Sequence, residues 1–286
     1  MTANSGNILK AKQSQQDHPP PARWYAAIGL AVCLAAPIEV EAGFISTDFN
    51  SGLPAGTSIF GSAVIEDGLA AGDGVLKLTK AANSQNGAFY IDPLDPGMAT
   101  QSFTATFKAL VGGGTGETGG LPADGFSFNF ANDLPGGLFT YGEEGGGTGL
   151  TVSFDTYDNG PMYGDPVPPP VIDVKIGGAT IASYQTPISL GMNFLDVLID
   201  LHADGTLDVS YGGVDAFIGL ATGYTPITNG QFALGARTGG FNDNHWIDEL
   251  SIRTMTAAAA VPEPATLALL SLSLAGLGFT RRRMKA

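Results

Sequence analysis

The sequence predicts an all-β chain folded as a two-sheet antiparallel sandwich, and three observations lead there. Apolar and polar residues alternate with a period of two in several separate stretches. The 41 glycines and 18 prolines cut the chain into short segments. No amphipathic helix of useful length, and no internal repeat, appears between the two ends. Period two buries one face of each strand, which is how sheets packed face to face read in sequence.

The strands follow in order. Phe103, Ala105, Phe107, Ala109 and Val111 alternate with Ser102, Thr104, Thr106 and Lys108. Phe126, Phe128 and Phe130 alternate with Ser127 and Asn129, and Leu150, Val152 and Phe154 with Thr151 and Ser153. Leu195, Val197, Ile199 and Leu201 form a further run. Turn-rich clusters separate them at 112–120, 142–149 and 166–170. Asp204-Gly205, between Leu201 and Leu207, reads as a hairpin turn.

Both ends read as targeting segments. Trp24–Ala36 is a short apolar stretch behind Lys10, Lys12 and Arg23, and Val40-Glu41-Ala42 offers small residues for cleavage after Ala42. Residues 1–42 are therefore expected to be a signal peptide with an extended leader, a substrate of signal peptidase. Leu30-Ala31-Val32-Cys33 is a poor lipoprotein box, because Val32 is bulky. Cys33, the single cysteine, leaves with the leader, so the mature domain holds no disulfide. At the other end, Val261-Pro262-Glu263-Pro264 precedes an apolar run, Ala265 to Thr280, and then Arg281-Arg282-Arg283. Two prolines so close end regular structure. The run is short for a permanent span, which takes about 20 apolar residues, and the arginines stay on the cytoplasmic side. This order resembles the PEP-CTERM sorting signal, in which an exosortase-type enzyme is thought to remove the tail. Residues 257–286 are assigned to that signal and its short transmembrane segment, with short helical segments expected at both termini. The resemblance implies export to the cell envelope, outer surface or matrix after a transient inner-membrane anchor.

The domain between them, residues 43–256, is strongly acidic. From 43 to 260 there are six Lys or Arg against 23 Asp or Glu, a net charge of −17. Such a surface repels nucleic acid and anionic lipid. It accommodates divalent cations and neutral sugars, and solubility alone accounts for most of it.

Chemistry gathers in three segments. Pro122-Ala123-Asp124-Gly125-Phe126 puts a carboxylate at the mouth of an apolar strand. Phe154-Asp155-Thr156-Tyr157-Asp158-Asn159, followed by Asp165, supplies oxygen donors from Asp155, the Tyr157 carbonyl, Asn159 and Asp165. Hard cations such as Ca2+ take six to eight oxygens from carboxylates, carbonyls and water. Arg237-Thr238-Gly239-Gly240-Phe241-Asn242 is a strand end opening into a glycine turn. Each segment alone is more often turn chemistry than a site; their order and spacing carry the signal.

Together with Gly87-Ala88-Phe89-Tyr90, these segments resemble the L-type (legume-like) lectin domain, from about Phe44 to Arg253. The resemblance implies a concanavalin A-like, two-sheet antiparallel jelly-roll sandwich with a carbohydrate site at one edge. It assigns sugar hydroxyls to Asp124, which in that family commonly follows a cis peptide, here Ala123–Asp124. Asn159 would turn its oxygen to Ca2+ and its amide nitrogen to the sugar, the Tyr157 ring would stack on the pyranose, and Gly240 and Phe241, in the Gly239-Gly240-Phe241 sugar loop, would offer backbone N–H groups. The implied metal ligands are Asp155, Tyr157, Asn159 and Asp165.

The chain departs from the plant-lectin pattern at Ser153, Gly164 and Pro169, where that family carries glutamate, aspartate and histidine. Those losses remove the ligands of a transition metal, so no manganese is expected. With only His202 and His245 in the domain, zinc is not expected either. His245 reads as a residue at a strand start.

The functional expectation is a secreted or surface-sorted, calcium-dependent protein that binds glycans or exopolysaccharide without catalysis. Glycoside hydrolases share this sandwich, and fold alone does not decide function. A retaining hydrolase needs two carboxyls about 5–5.5 Å apart, and no Glu-x-Asp-x-x-Glu run is present: Glu143-Glu144 lies in a glycine loop and Asp196 and Asp200 on a solvated face. A structural or adhesive matrix protein that keeps the sandwich and binds no sugar is the other alternative.

Overall fold

The computed structural model describes residues 39–116, 119–160 and 166–257, all of them strand, turn or loop. Most of the leader, nearly all of the sorting segment, and both Gly164 and Asp165 lie outside the described residues.

Two antiparallel sheets face each other. The larger runs in the order β13 (Val214–Ala221), β12 (Thr206–Tyr211), β11 (Phe194–Leu201), β6 (Ala99–Gly112), β16 (Asn244–Ala257), β4 (Gly74–Thr79) and β3 (Val64–Asp67). In the same sheet β1 (Glu39–Thr47) pairs with β16, and β14 (Ile227–Thr228) with β6. The smaller sheet runs β10 (Ala179–Gln185), β9 (Val171–Ile176), β8 (Leu150–Asp155), β7 (Gly125–Ala131), β15 (Gln231–Arg237), β5 (Asn86–Ile91) and β2 (Thr57–Gly61). This is the two-sheet antiparallel jelly-roll sandwich expected from the sequence. The Asp204-Gly205 hairpin forms as expected, with Gly205 in a left-handed conformation and Asp204 Oδ1 accepting from the Thr206 amide at 2.9 Å.

Aromatic side chains weld the sheets. Phe103 from β6 meets Phe232 of β15 edge-on, with ring centroids 5.1 Å apart, and Phe107 stacks on Phe128 of β7 at 6.2 Å. Within the smaller sheet Phe126 and Phe154 stack at 4.4 Å. All of these rings are buried, and each contributes about 1.5–3 kcal/mol through lost apolar exposure.

One expectation needs correction. Strands β7 and β8 are buried on both faces, so Ser127, Asn129, Thr151 and Ser153 are interior and not solvated. The cause is the chain between these strands, which folds back over the outer face of its own sheet. Ser127 Oγ donates to the Gly142 carbonyl at 2.6 Å, and Ser153 Oγ to the Glu143 carbonyl at 2.7 Å. The Gly146 amide donates to Asn129 Oδ1 at 3.1 Å, and Lys175 pairs with Glu144. The polar half of the alternation therefore anchors a strap and does not meet water.

Candidate functional site

Three strand ends meet at one pole. Gly125, the first residue of β7, stands in register with Asp155 at the end of β8 and with Arg237 at the end of β15. The Asp124 amide donates to the Arg237 carbonyl at 2.8 Å, and the Thr156 amide donates to the Asp124 carbonyl at 2.9 Å. The Ala123–Asp124 peptide is cis. Only glycine serves at 125: its φ is +138°, and a Cβ there would strike the Phe154 carbonyl oxygen.

The glycine turn comes up against the same carboxylate. A Cβ at Gly239 would stand 3.3 Å from Asp124 Oδ1, so glycine keeps a side chain off that oxygen. The turn is held by the Gly239 amide donating to the Phe241 carbonyl at 3.1 Å and by the Ser84 amide donating to the Gly239 carbonyl at 3.1 Å. The Gly239 N–H is thus used within the turn. Gly240 and Phe241 are exposed. The Phe241 ring lies 5.9 Å from the half-buried Tyr157 ring, and the two make an aromatic wall.

Asp124 and Asn159 are connected through two residues that sequence reasoning did not assign. Arg237 Nη2 lies 2.7 Å from Asp124 Oδ2. The same guanidinium donates to Glu143 through Nε at 3.0 Å and through Nη2 at 2.5 Å. Its carbon sits 4.8 Å from the Tyr141 ring. Asn159 Nδ2 then donates to Glu143 Oε1 at 3.3 Å. Burial pushes the Glu143 carboxyl above its ordinary value, with the Arg237 hydrogen bonds pulling the other way. For Arg237, burial works against the charge, but the hydrogen bonds it donates to Glu143 and the charges of Glu143 and Asp124 outweigh it and raise the value. The available signal was scarcity. Only six basic side chains serve the acidic domain, and any carboxylate buried in it has to find one of them.

The proposed cation ligands are adjacent. Asp155 is fully buried, and its Oδ1 accepts from the Tyr157 amide at 3.0 Å. The Tyr157 carbonyl accepts from Asn159 Nδ2 at 3.4 Å. A carboxylate, a carbonyl and a side-chain amide therefore converge, an oxygen-donor set of the type calcium takes. Seating an ion would turn the Asn159 amide over, since the Tyr157 carbonyl holds its NH2 here. Among the described residues no three His, Cys, Asp or Glu side chains cluster as metal ligands; Asp165 is outside them. His245 is the second residue of β16, fully buried, with Nδ1 2.6 Å from Thr79 Oγ1, and takes no part in the rim.

Comparison with known proteins falls in two places. Residues 260–283 match the PEP-CTERM protein-sorting motif, which indicates export and C-terminal processing at the cell envelope. No curated protein sequence matches the chain. The fold has L-type lectin neighbours. Peanut lectin is 19% identical with a TM-score of 0.56, covering 77% of this chain and 100% of its own. The exoplasmic/lumenal domain of VIP36 in its Ca2+/Man-bound form is 18% identical with a TM-score of 0.54, covering 77% and 92%. The carbohydrate recognition domain of Emp47p is 15% identical with a TM-score of 0.53, covering 77% and 97%. At these identities the likeness is one of fold.

Proposed function

We propose that this is an exported, non-catalytic glycan-binding protein whose ligand lies against the rim of Asp124, Tyr157, Asn159, Gly239, Gly240 and Phe241. The observation that carries the reading is convergence. Residues drawn from three separate segments meet at one pole, with a carboxylate beside a side-chain-free turn and an aromatic pair next to it. Calcium, held by Asp155, the Tyr157 carbonyl, Asn159 and Asp165, would fix the loop that presents Tyr157 and Asn159. The Ca2+-bound neighbours support this assignment by analogy. Envelope or matrix exopolysaccharide is the proposed ligand pool, reached after signal peptidase and an exosortase-type enzyme have acted on the two ends.

The non-catalytic reading is supported by the fate of the only adjacent glutamates. Glu143 is fully buried against Arg237 and Glu144 is paired with Lys175, both in the strap over the sheet. One observation favours the matrix-protein alternative: Asp124 is only 3% exposed and already bound by Arg237. A glycan array run with calcium and with chelator separates the two. Calcium-dependent binding that Asp124→Asn abolishes supports the lectin reading. Absence of binding in both conditions leaves the matrix protein.

A further inference from the structure

We propose that signal-peptide removal completes the fold, because the new ammonium group of Gly43 becomes the counter-ion of the buried carboxylate Asp95. Asp95 is 5% exposed. Its Oδ2 accepts from Thr100 Oγ1 at 3.3 Å, while among the described residues Oδ1 accepts no hydrogen bond. A buried carboxylate oxygen in that condition is costly, and it points at Gly43. A Cβ built on Gly43 would stand 2.8 Å from Asp95 Oδ1, 2.8 Å from the Leu94 carbonyl oxygen and 2.5 Å from Leu94 Cβ. No side chain fits there. Adding the roughly 2.5 Å from N to Cβ within a residue places the Gly43 nitrogen no more than about 5.3 Å from Oδ1.

In the uncut chain that nitrogen is an amide with one proton, given to Thr254 Oγ1 at 3.0 Å. Hydrolysis of the Ala42–Gly43 bond consumes one water and leaves a carboxylate on Ala42 and an ammonium on Gly43. One ammonium proton stays with Thr254, and another becomes available to Asp95 after a small side-chain rotation. The Thr254 hydroxyl donates to the Gly43 carbonyl at 3.1 Å, which keeps the residue in place.

Two further observations fit. The β1–β16 register slips between Glu41 and Phe44, so pairing resumes at Phe44 with Arg253 and continues to Thr47 with Leu250. Cutting after Ala42 removes only the pairs ahead of the slip. Moreover, among the described residues no ion pair joins Asp95 to a basic side chain: Lys77 and Lys80 meet Glu66, Lys108 meets Glu249, Lys175 meets Glu144, and Arg237 meets Asp124 and Glu143. Arg253 lies over the Phe44 ring. Processing supplies a cation where the acidic domain has none to spare.

The test uses the full-length gene product in two forms, exported and processed, or retained uncut in the cytoplasm, each with and without Asp95→Asn. Intact mass should place the processed N-terminus at Gly43. Asp95→Asn should lower the Tm of the processed form by about 4–8 °C and change the uncut form by less than about 2 °C. If the substitution prevents the processed form from accumulating, wild-type processed protein acetylated at its α-amine and refolded should lose a similar amount of Tm. An N-terminus elsewhere, an equal loss in both forms, or no loss on acetylation overturns the proposal.

Discussion

The Glu143 carboxylate receives both arms of the Arg237 guanidinium, at 3.0 and 2.5 Å, although 94 positions separate the two residues. That pair ties the strap over the smaller sheet to the end of β15, and through Asp124 and Asn159 to the rim.

Arg237→Met should therefore destabilise the fold by about 3–5 kcal/mol, since it removes the guanidinium that pairs with the buried Glu143 and Asp124 carboxylates. Glu143, already above its ordinary value through burial, would rise further without the Arg237 hydrogen bonds, and the folded state would bind more protons as pH falls. The deficit should shrink between pH 7 and pH 5, as read from urea unfolding at each pH.

Asp124→Asn is milder. Arg237 keeps both of its bonds to Glu143, and losing its charge-assisted contact with Asp124 costs about 1–2 kcal/mol. Urea unfolding should show this modest cost, and calcium-dependent binding on a glycan array should vanish. Loss of binding without gross unfolding separates the rim from the scaffold.

Calcium should raise the Tm of wild type, and chelator should reverse the rise. Asp155→Asn removes the one carboxylate among the described ligands and should abolish that response. A calorimetric scan with and without Ca2+ reads it directly.

His245 sets a pH dependence of its own. Burial lowers its value from 6.5 to about 3. The unfolded chain takes up a proton below about pH 6.5 that the folded chain refuses. Stability from this residue is complete above that pH and is lost as pH falls toward 3, by up to about 1.4 kcal/mol per unit. His202 acts in the opposite sense, raised by its hydrogen bond with Asp208, but it is partly solvated and contributes little. His245→Phe should flatten the slope between pH 6.5 and 5 in urea unfolding experiments.

Gly125→Ala should be the most damaging small substitution at this pole. It places a side chain at φ +138° against the Phe154 carbonyl. A loss of about 2–4 kcal/mol is expected, visible as a lower Tm, with rim function lost because β7 and β8 separate where Asp124 and Asp155 emerge.

The alternation of Phe103 to Val111 and of Phe126 to Phe130 was enough to read the sandwich, because a strand's inward face depends only on its own pattern. The three rim segments were legible for a similar reason: each is a short run at a strand end. Ser127, Asn129 and Ser153 were misread as solvated because what covers them is a loop, and local periodicity does not encode where a loop lies down. The Glu143–Arg237 pair was hidden likewise. Neither residue has a local pattern that names its partner, and Glu143 looked like one more acidic residue in a glycine loop.

Strand β16 begins at Asn244, just after the rim turn, and runs 14 residues to Ala257, where it pairs with Glu39. At about 3.3 Å per residue that is roughly 45 Å. The chain thus enters and leaves at one end of the sandwich and offers its aromatic wall at the other, with the sorting motif starting at residue 260. A tether at that motif would attach at the pole opposite the aromatic wall.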